Sequence, residues 1–261
     1  MFLGYLFFFG IFMGDKLKEI TTFTGCFIAG TLIRVQRNLD LPHIMWKQIE
    51  DIQIGDLVLS RPEDGTDIQE YKPVVNTFKL DKKPVWVLRT LELVADFINN
   101  PTLSSEIIAT ANHSFWVCGI ASIAGELDSL VLTQGRWSRL DQLNNGDVVQ
   151  SNNKYFVVLH ATQLYQTEEA HIAWALDPEG DGYGSAFDLN TIRETGRING
   201  KFAYNSSHSE NEQGEREYIP YLADVYNFEV EDYHTYYVGT RSFWVHNTNC
   251  GAFTNPNDQV P

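Results

Sequence analysis

The sequence predicts an all-β fold, and three observations carry that expectation. From Cys26 to about Val158 the chain divides into short β-prone runs, such as Thr31-Leu32-Ile33-Arg34-Val35, Asp56-Leu57-Val58-Leu59 and Ser114-Phe115-Trp116-Val117. Turn formers separate them, including Pro62-Glu63-Asp64-Gly65 and Asn144-Asn145-Gly146-Asp147, and no long amphipathic helical pattern intervenes. The segment from Trp46 to Ser60 also matches that from Trp137 to Ser151 without a gap. In each copy a tryptophan is followed, at spacings of three, by two aliphatics (Ile49 and Ile52, or Leu140 and Leu143), then by a Gly-Asp turn and a strand. The glycine reads as the positive-φ residue that ends one short helical turn and reverses the chain into the strand. Coincidence between two common turn motifs is the bland alternative; a duplicated β subdomain accounts for the whole match.

Residues 1–25 read as an N-terminal flanking segment or apolar leader. Met1 to Met13 is apolar and uncharged, too short for a membrane-spanning helix, which takes about 20 residues. No Lys or Arg precedes the run and no small-residue cleavage site directly follows it, against a signal peptide. Thr24-Gly25-Cys26 is similar to the end of a bacterial lipoprotein signal, but Asp15, Lys16, Lys18 and Glu19 lie where such a signal stays uncharged.

A domain is expected over residues 26–247, with an inserted loop-rich region at about 167–218, where Gly, Asp, Glu, Asn and Ser are frequent. A final β stretch, Tyr221 to Val245, follows, and then a short tail, 248–261. Within the insertion, Asp177-Pro178-Glu179-Gly180-Asp181-Gly182 running on to Asp188 loosely echoes a calcium loop. Pro178, and Asp instead of a bidentate Glu at the end, favour a solvated acidic turn.

With 261 residues, 43% of them hydrophobic and 13% aromatic, the chain can bury a sizeable core. Its net charge of −15 opposes nucleic acid and anionic membrane as partners. Three cysteines, Cys26, Cys118 and Cys250, are too few and scattered for a disulfide framework and lack CxxC metal spacing. Cys118 reads as a core thiol. Cys26, His113 and His234 have the ligand types for zinc but no local spacing that predicts a site, so neither metal nor cofactor is expected.

Four clusters could do chemistry: Cys26, Thr110-Ala111-Asn112-His113, His234, and His246-Asn247-Thr248. Singly, each has an ordinary explanation as a core thiol, a satisfied imidazole or a turn. Together, in this order, they resemble the Hint superfamily of Hedgehog and intein domains. Cys26-Phe27-Ile28-Ala29-Gly30-Thr31-Leu32-Ile33 is similar to the opening block and Thr110 to His113 to the TxxH block. Val225 to Tyr236 is similar to the penultimate block and Trp244-Val245-His246-Asn247 to the closing one. Leu59-Ser60-Arg61-Pro62-Glu63, Tyr71-Lys72-Pro73-Val74-Val75 and Val245-His246-Asn247 with Cys250-Gly251 resemble the Hint domains of bacterial polymorphic toxins.

The resemblance implies a horseshoe of two pseudo-symmetric β subdomains, with which the duplication agrees, and autocatalytic processing of the chain's own flanking segments. Cys26 would attack the Gly25 carbonyl in an N-to-S acyl shift, Thr110 orienting the amide and His113 distorting it and protonating the departing amine. Asn247 would cyclise onto its own carbonyl, which His246 polarises while His234 assists proton transfer. Thr248 could capture the thioester and complete splicing. Asn227 stands where splicing inteins often carry an acidic residue that coordinates the two ends, so release of the tail is expected over ligation. The tail is too short for a toxin domain, and the insertion is too short and insufficiently basic for a homing endonuclease. A monomer without a stable membrane span is expected, in the cytoplasm or exported within a secreted toxin-like system. The alternative is a catalytically silent Hint-fold module, binding calcium through Asp177, Glu179 and Asp181.

Overall fold

The duplicated segment builds the same unit twice. In the computed structural model, which describes residues 25–36, 46–93, 104–123, 127–177, 183–204, 209–210, 213–214 and 216–247, β1 (Phe27–Ile28) and β2 (Leu32–Arg34) precede β3 (Trp46–Gln48). One turn of 3-10 helix over Ile49–Asp51 follows, then β4 (Leu57–Ser60) and the long β5 (Glu70–Glu92). The series recurs as β6 (Ser104–Thr110), β7 (Ser114–Ile123), β8 (Leu127–Arg139), a 3-10 turn over Leu140–Gln142, β9 (Asp147–Gln150) and β10 (Tyr155–Gln166).

The hydrogen bonds repeat with the sequence. Ile49 N–H donates to the Thr31 carbonyl and Leu140 N–H to that of His113, both at 2.8 Å. The Asp56 and Asp147 carboxylates accept from Gln53 N–H and Asn144 N–H, again both at 2.8 Å. Gly55 and Gly146 have φ of 93° and 90°, the left-handed geometry that the turn demands. The aliphatics at spacings of three, Ile49, Ile52, Leu140 and Leu143, are all buried.

The segment expected to be loop-rich carries more regular structure than its composition indicates. β11 (Ile172–Leu176), β12 (Tyr183–Asp188), α1 (Leu189–Thr195) and β13 (Lys201–Tyr204) extend the sheet from the end of β10 as an antiparallel meander. Polar turns dominate the average composition, but Ala173, Trp174, Ala175, Phe187 and Ile192 form buried apolar stretches between them. Asp188 caps α1: its carboxylate accepts from Asn190 N–H, Thr191 N–H and the Thr191 hydroxyl. Those bonds account for the carboxylate that would have ended a calcium loop. Residues 178–182, including Glu179 and Asp181, lie outside the described residues, as do 1–24 and 248–261.

After a small hairpin, β14 (Ser209–Glu210) and β15 (Arg216–Glu217), three strands close the fold: β16 (Leu222–Val230), β17 (Thr235–Val238) and β18 (Phe243–His246). β16 pairs with β1 and β5. β17 and β18 pair with each other, β17 also with β2 and β18 also with β7, so this hairpin bridges the two repeats. The main core draws on both repeats and on the closing strands, through Ile33, Ile49, Phe115, Leu140, Phe228 and Tyr236. Among the described residues no helix is long and apolar enough to cross a membrane.

Candidate active site

Strand pairing brings the Gly25-Cys26 peptide and Asn247 into one buried region. β1 begins directly after Cys26 and is held between β16 and β6, with Phe27 opposite Tyr226 and Ala109. The last residue of β6, Thr110, clasps Cys26: its Oγ1 accepts from Cys26 N–H and its own N–H donates to the Cys26 carbonyl, both at 2.9 Å. His113 follows in the tight turn into β7, with its N–H bonded to the Thr110 carbonyl at 3.1 Å. Its ring is fully buried against Phe27, at 4.1 Å between centroids.

Gly25 is fitted to that ring. A Cβ there would stand 2.6 Å from His113 Cα and 2.8 Å from His113 Nδ1, so a side chain is sterically excluded. Burial pushes the His113 imidazole down to about 3; the Gly25 backbone opposes this from contact short of a hydrogen bond, and nearby His246 adds to it. His113 is therefore neutral at physiological pH, with one ring nitrogen carrying a proton and the other a lone pair.

The Gly25 carbonyl is held from the opposite strand. Asn227 of β16 donates to it through Nδ2 at 2.6 Å. Asn227 Oδ1 accepts from the Tyr236 hydroxyl at 2.6 Å and from Phe228 N–H at 2.8 Å. The next residue along β16 serves the other junction, because the Phe228 carbonyl accepts from Asn247 Nδ2 at 3.3 Å.

Asn247 leaves β18 with its N–H bonded to the His234 carbonyl at 2.9 Å. It is buried, and its Oδ1 has no hydrogen-bond partner among the described residues. His234 presents that carbonyl from a backbone at φ 52°, a left-handed conformation for which histidine is enriched among non-glycine residues. The buried His246 ring packs edge-on against Trp137 at 5.0 Å, and its Nε2 lies 2.7 Å from Glu63 Oε2. Burial lowers the His246 pKa, and the Glu63 hydrogen bond and charge oppose that shift.

Glu63 and Tyr236 emerge here without having been singled out from sequence. Glu63 rides on the turn after β4, whose backbone is tied to Trp137 Nε1 at 3.0 Å. The turn wraps the buried Arg61 guanidinium, which stacks on Trp244 and donates to the Thr66 and Gly65 carbonyls. Thr248 and Cys250 lie outside the described residues. Cys118 is buried and its thiol is pushed up to about 11 by desolvation, which makes it a poor nucleophile. Among the described residues no three His, Cys, Asp or Glu side chains gather as a metal site; Cys26, His113 and His234 do not form one.

No family model and no curated protein matches the chain. Solved structures do. A bacterial intein-like domain from Clostridium thermocellum is similar at 20% identity over 85% of this chain and 98% of that one, with a TM-score of 0.42. The DnaB intein from Synechocystis sp. PCC 6803 is similar at 16% identity over 86% and 99%, with a TM-score of 0.40. The likeness is to inteins. The DnaX mini intein from Spirulina platensis is a further case, 15% identical over 85% and 99%, with a TM-score of 0.38.

Proposed function

We propose that residues 26–247 form a self-processing Hint domain that breaks its own backbone at two junctions, before Cys26 and after Asn247. The observation that carries this reading is the meeting of both junctions on one dipeptide: Asn227 binds the Gly25 carbonyl and the Phe228 carbonyl binds the Asn247 side chain. A purely structural strand has no need to gather a buried cysteine, a buried asparagine and the buried imidazoles of His113 and His246 at two remote points of the backbone.

At the first junction the Cys26 thiol attacks the Gly25 carbonyl, giving a thioester and a free amine. Thr110 holds the Cys26 N–H, and neutral His113 takes the thiol proton and passes it to the departing nitrogen. At the second, Asn247 Nδ2 attacks its own backbone carbonyl to form a succinimide, His246 polarising that carbonyl and His234 holding the main chain in place. Thr248 is a hindered hydroxyl and no carboxylate stands at position 227, so release of the tail is favoured over ligation.

Mass spectrometry of the purified chain tests the reading. Loss of residues 248–261 is expected, and Asn247→Ala abolishes it. Hydroxylamine is expected to release the segment before Cys26, and Cys26→Ala abolishes that. An intact mass unchanged over days between pH 6 and 9 would overturn the proposal.

A further inference from the structure

The Asn227 side chain has one orientation open to it. Its amide lies between a group that only donates, Phe228 N–H, and a group that only accepts, the Gly25 carbonyl oxygen. The atom facing Phe228 must be Oδ1 and the atom facing Gly25 must be Nδ2, so the hydrogen-bond chemistry itself fixes which end of the amide is which. The Tyr236 hydroxyl adds a second bond to Oδ1 at 2.6 Å. Asn227 is 3% exposed and Tyr236 is fully buried, so water does not compete for these groups.

We propose that Asn227 is a catalytic residue of the first step, its Nδ2–H donating to the Gly25 oxygen as that oxygen becomes an oxyanion, with Tyr236 as the positioning residue that holds the amide. This rests on the self-processing reading and adds a group to it. The Cys26 Sγ–Gly25 carbon bond forms and the carbonyl π pair moves onto oxygen. The oxygen pair then returns, the Gly25–Cys26 carbon–nitrogen bond breaks, and the thiol proton ends on the Cys26 nitrogen. The step is an isomerisation and needs no co-reactant. The negative charge of the intermediate falls on the oxygen that Asn227 already touches at 2.6 Å, in a site of low dielectric where a preoriented donor counts most. An ionised carboxylate at position 227 would face that oxygen with lone pairs and no proton. Asparagine is thus suited to this chemistry in its own right, and its role is more than the loss of an acidic group. Tyr236 keeps its own proton for Oδ1, because burial first and the Cys26 thiol second hold its pKa well above the ordinary value.

The test uses the full chain in an Asn247→Ala background, following hydroxylamine release of the segment before Cys26. Asn227→Ala is expected to slow release by about 100- to 1,000-fold, the scale of a lost oxyanion donor. Asn227→Asp, nearly the same shape, is expected to be as slow at pH 8, with its rate relative to the parent rising as pH falls and the carboxyl regains a proton. Tyr236→Phe leaves Phe228 N–H in place and is expected to lose less, about 3- to 10-fold, on the scale of one neutral hydrogen bond. Asn227→Ala within threefold of the parent, or Asn227→Asp at least as fast as the parent at pH 8, overturns the assignment while self-processing stands. If the parent itself releases nothing, self-processing at this junction fails and the assignment fails with it.

Discussion

Glu63 is half exposed and tethered to the surface of the site, yet its carboxylate lies on the buried His246 ring. That contact places a proton on Nε2 and leaves Nδ1 as the nitrogen that gains the second one. Because Glu63 opposes the effect of burial on His246, Glu63→Gln is expected to lower the His246 pKa further. The proposed cleavage after Asn247, in which protonated His246 polarises the carbonyl through Nδ1, is then expected to fall by about 10- to 100-fold at pH 7. Its decline with rising pH moves to lower pH, which time courses at a series of pH values will read. His113 makes the opposite kind of prediction. Its folded pKa of about 3 lies below the unfolded value, so unfolding takes up a proton below about pH 6.5. The stability that this imidazole supplies is complete above that pH and is lost as pH falls toward 3, by up to about 1.4 kcal/mol per unit. Urea denaturation at pH 7.5 and 5 should show the fall, and His113 resonances in a nuclear magnetic resonance titration should stay flat between them. Cys26, Thr110, His113, His246 and Asn247 were legible as candidates because each sits in a short local pattern. The Glu63 contact was not, since it joins residues 183 apart and no spacing rule reaches across that distance. Asn227 was noticed for the carboxylate it lacks, whereas the bond it makes depends on where β16 meets β1.

At the scale of the element, the two repeats test each other. Gly55 and Gly146 occupy equivalent turns with almost equal φ, but a Cβ on Gly55 meets nothing within 4 Å while one on Gly146 lies 2.9 Å from the Ala121 carbonyl oxygen. Gly55→Ala is expected to cost about 1–2 kcal/mol from backbone geometry alone. Gly146→Ala adds a clash with fixed backbone and is expected to cost roughly 2–4 kcal/mol. Chemical denaturation of both variants measures the difference, and equal losses would show that the Ala121 strand gives way. These turns were readable because their chemistry is local: a glycine at positive φ, and an aspartate accepting from three residues back. The meander of β11 to β13 was hidden because its apolar strands are brief and its polar turns dominate any average over the segment. α1 was equally hard to read, being a short helix whose start depends on the Asp188 cap.

Across the whole molecule, β17 and β18 form the seam between the repeats, and the groups around the Gly25 oxygen include residues from β16 and β17. A chain ending at Val230 keeps Cys26, Thr110, His113 and Asn227 but loses Tyr236 and the bridging hairpin. It is expected to show no hydroxylamine-sensitive bond before Cys26, and a synthetic peptide spanning residues 231–247 should restore one if the two repeats still meet around it. Detection of the thioester in the shortened chain alone would mean that the seam is dispensable. The seam also acts as a clock. Cys26 is translated early, but the strands that complete its surroundings are among the last of the domain to leave the ribosome, on the order of tens of seconds later at ordinary elongation rates. Under the proposed self-processing, whatever precedes Cys26 therefore stays joined to the chain throughout translation of the domain, and the cut waits for the final strand.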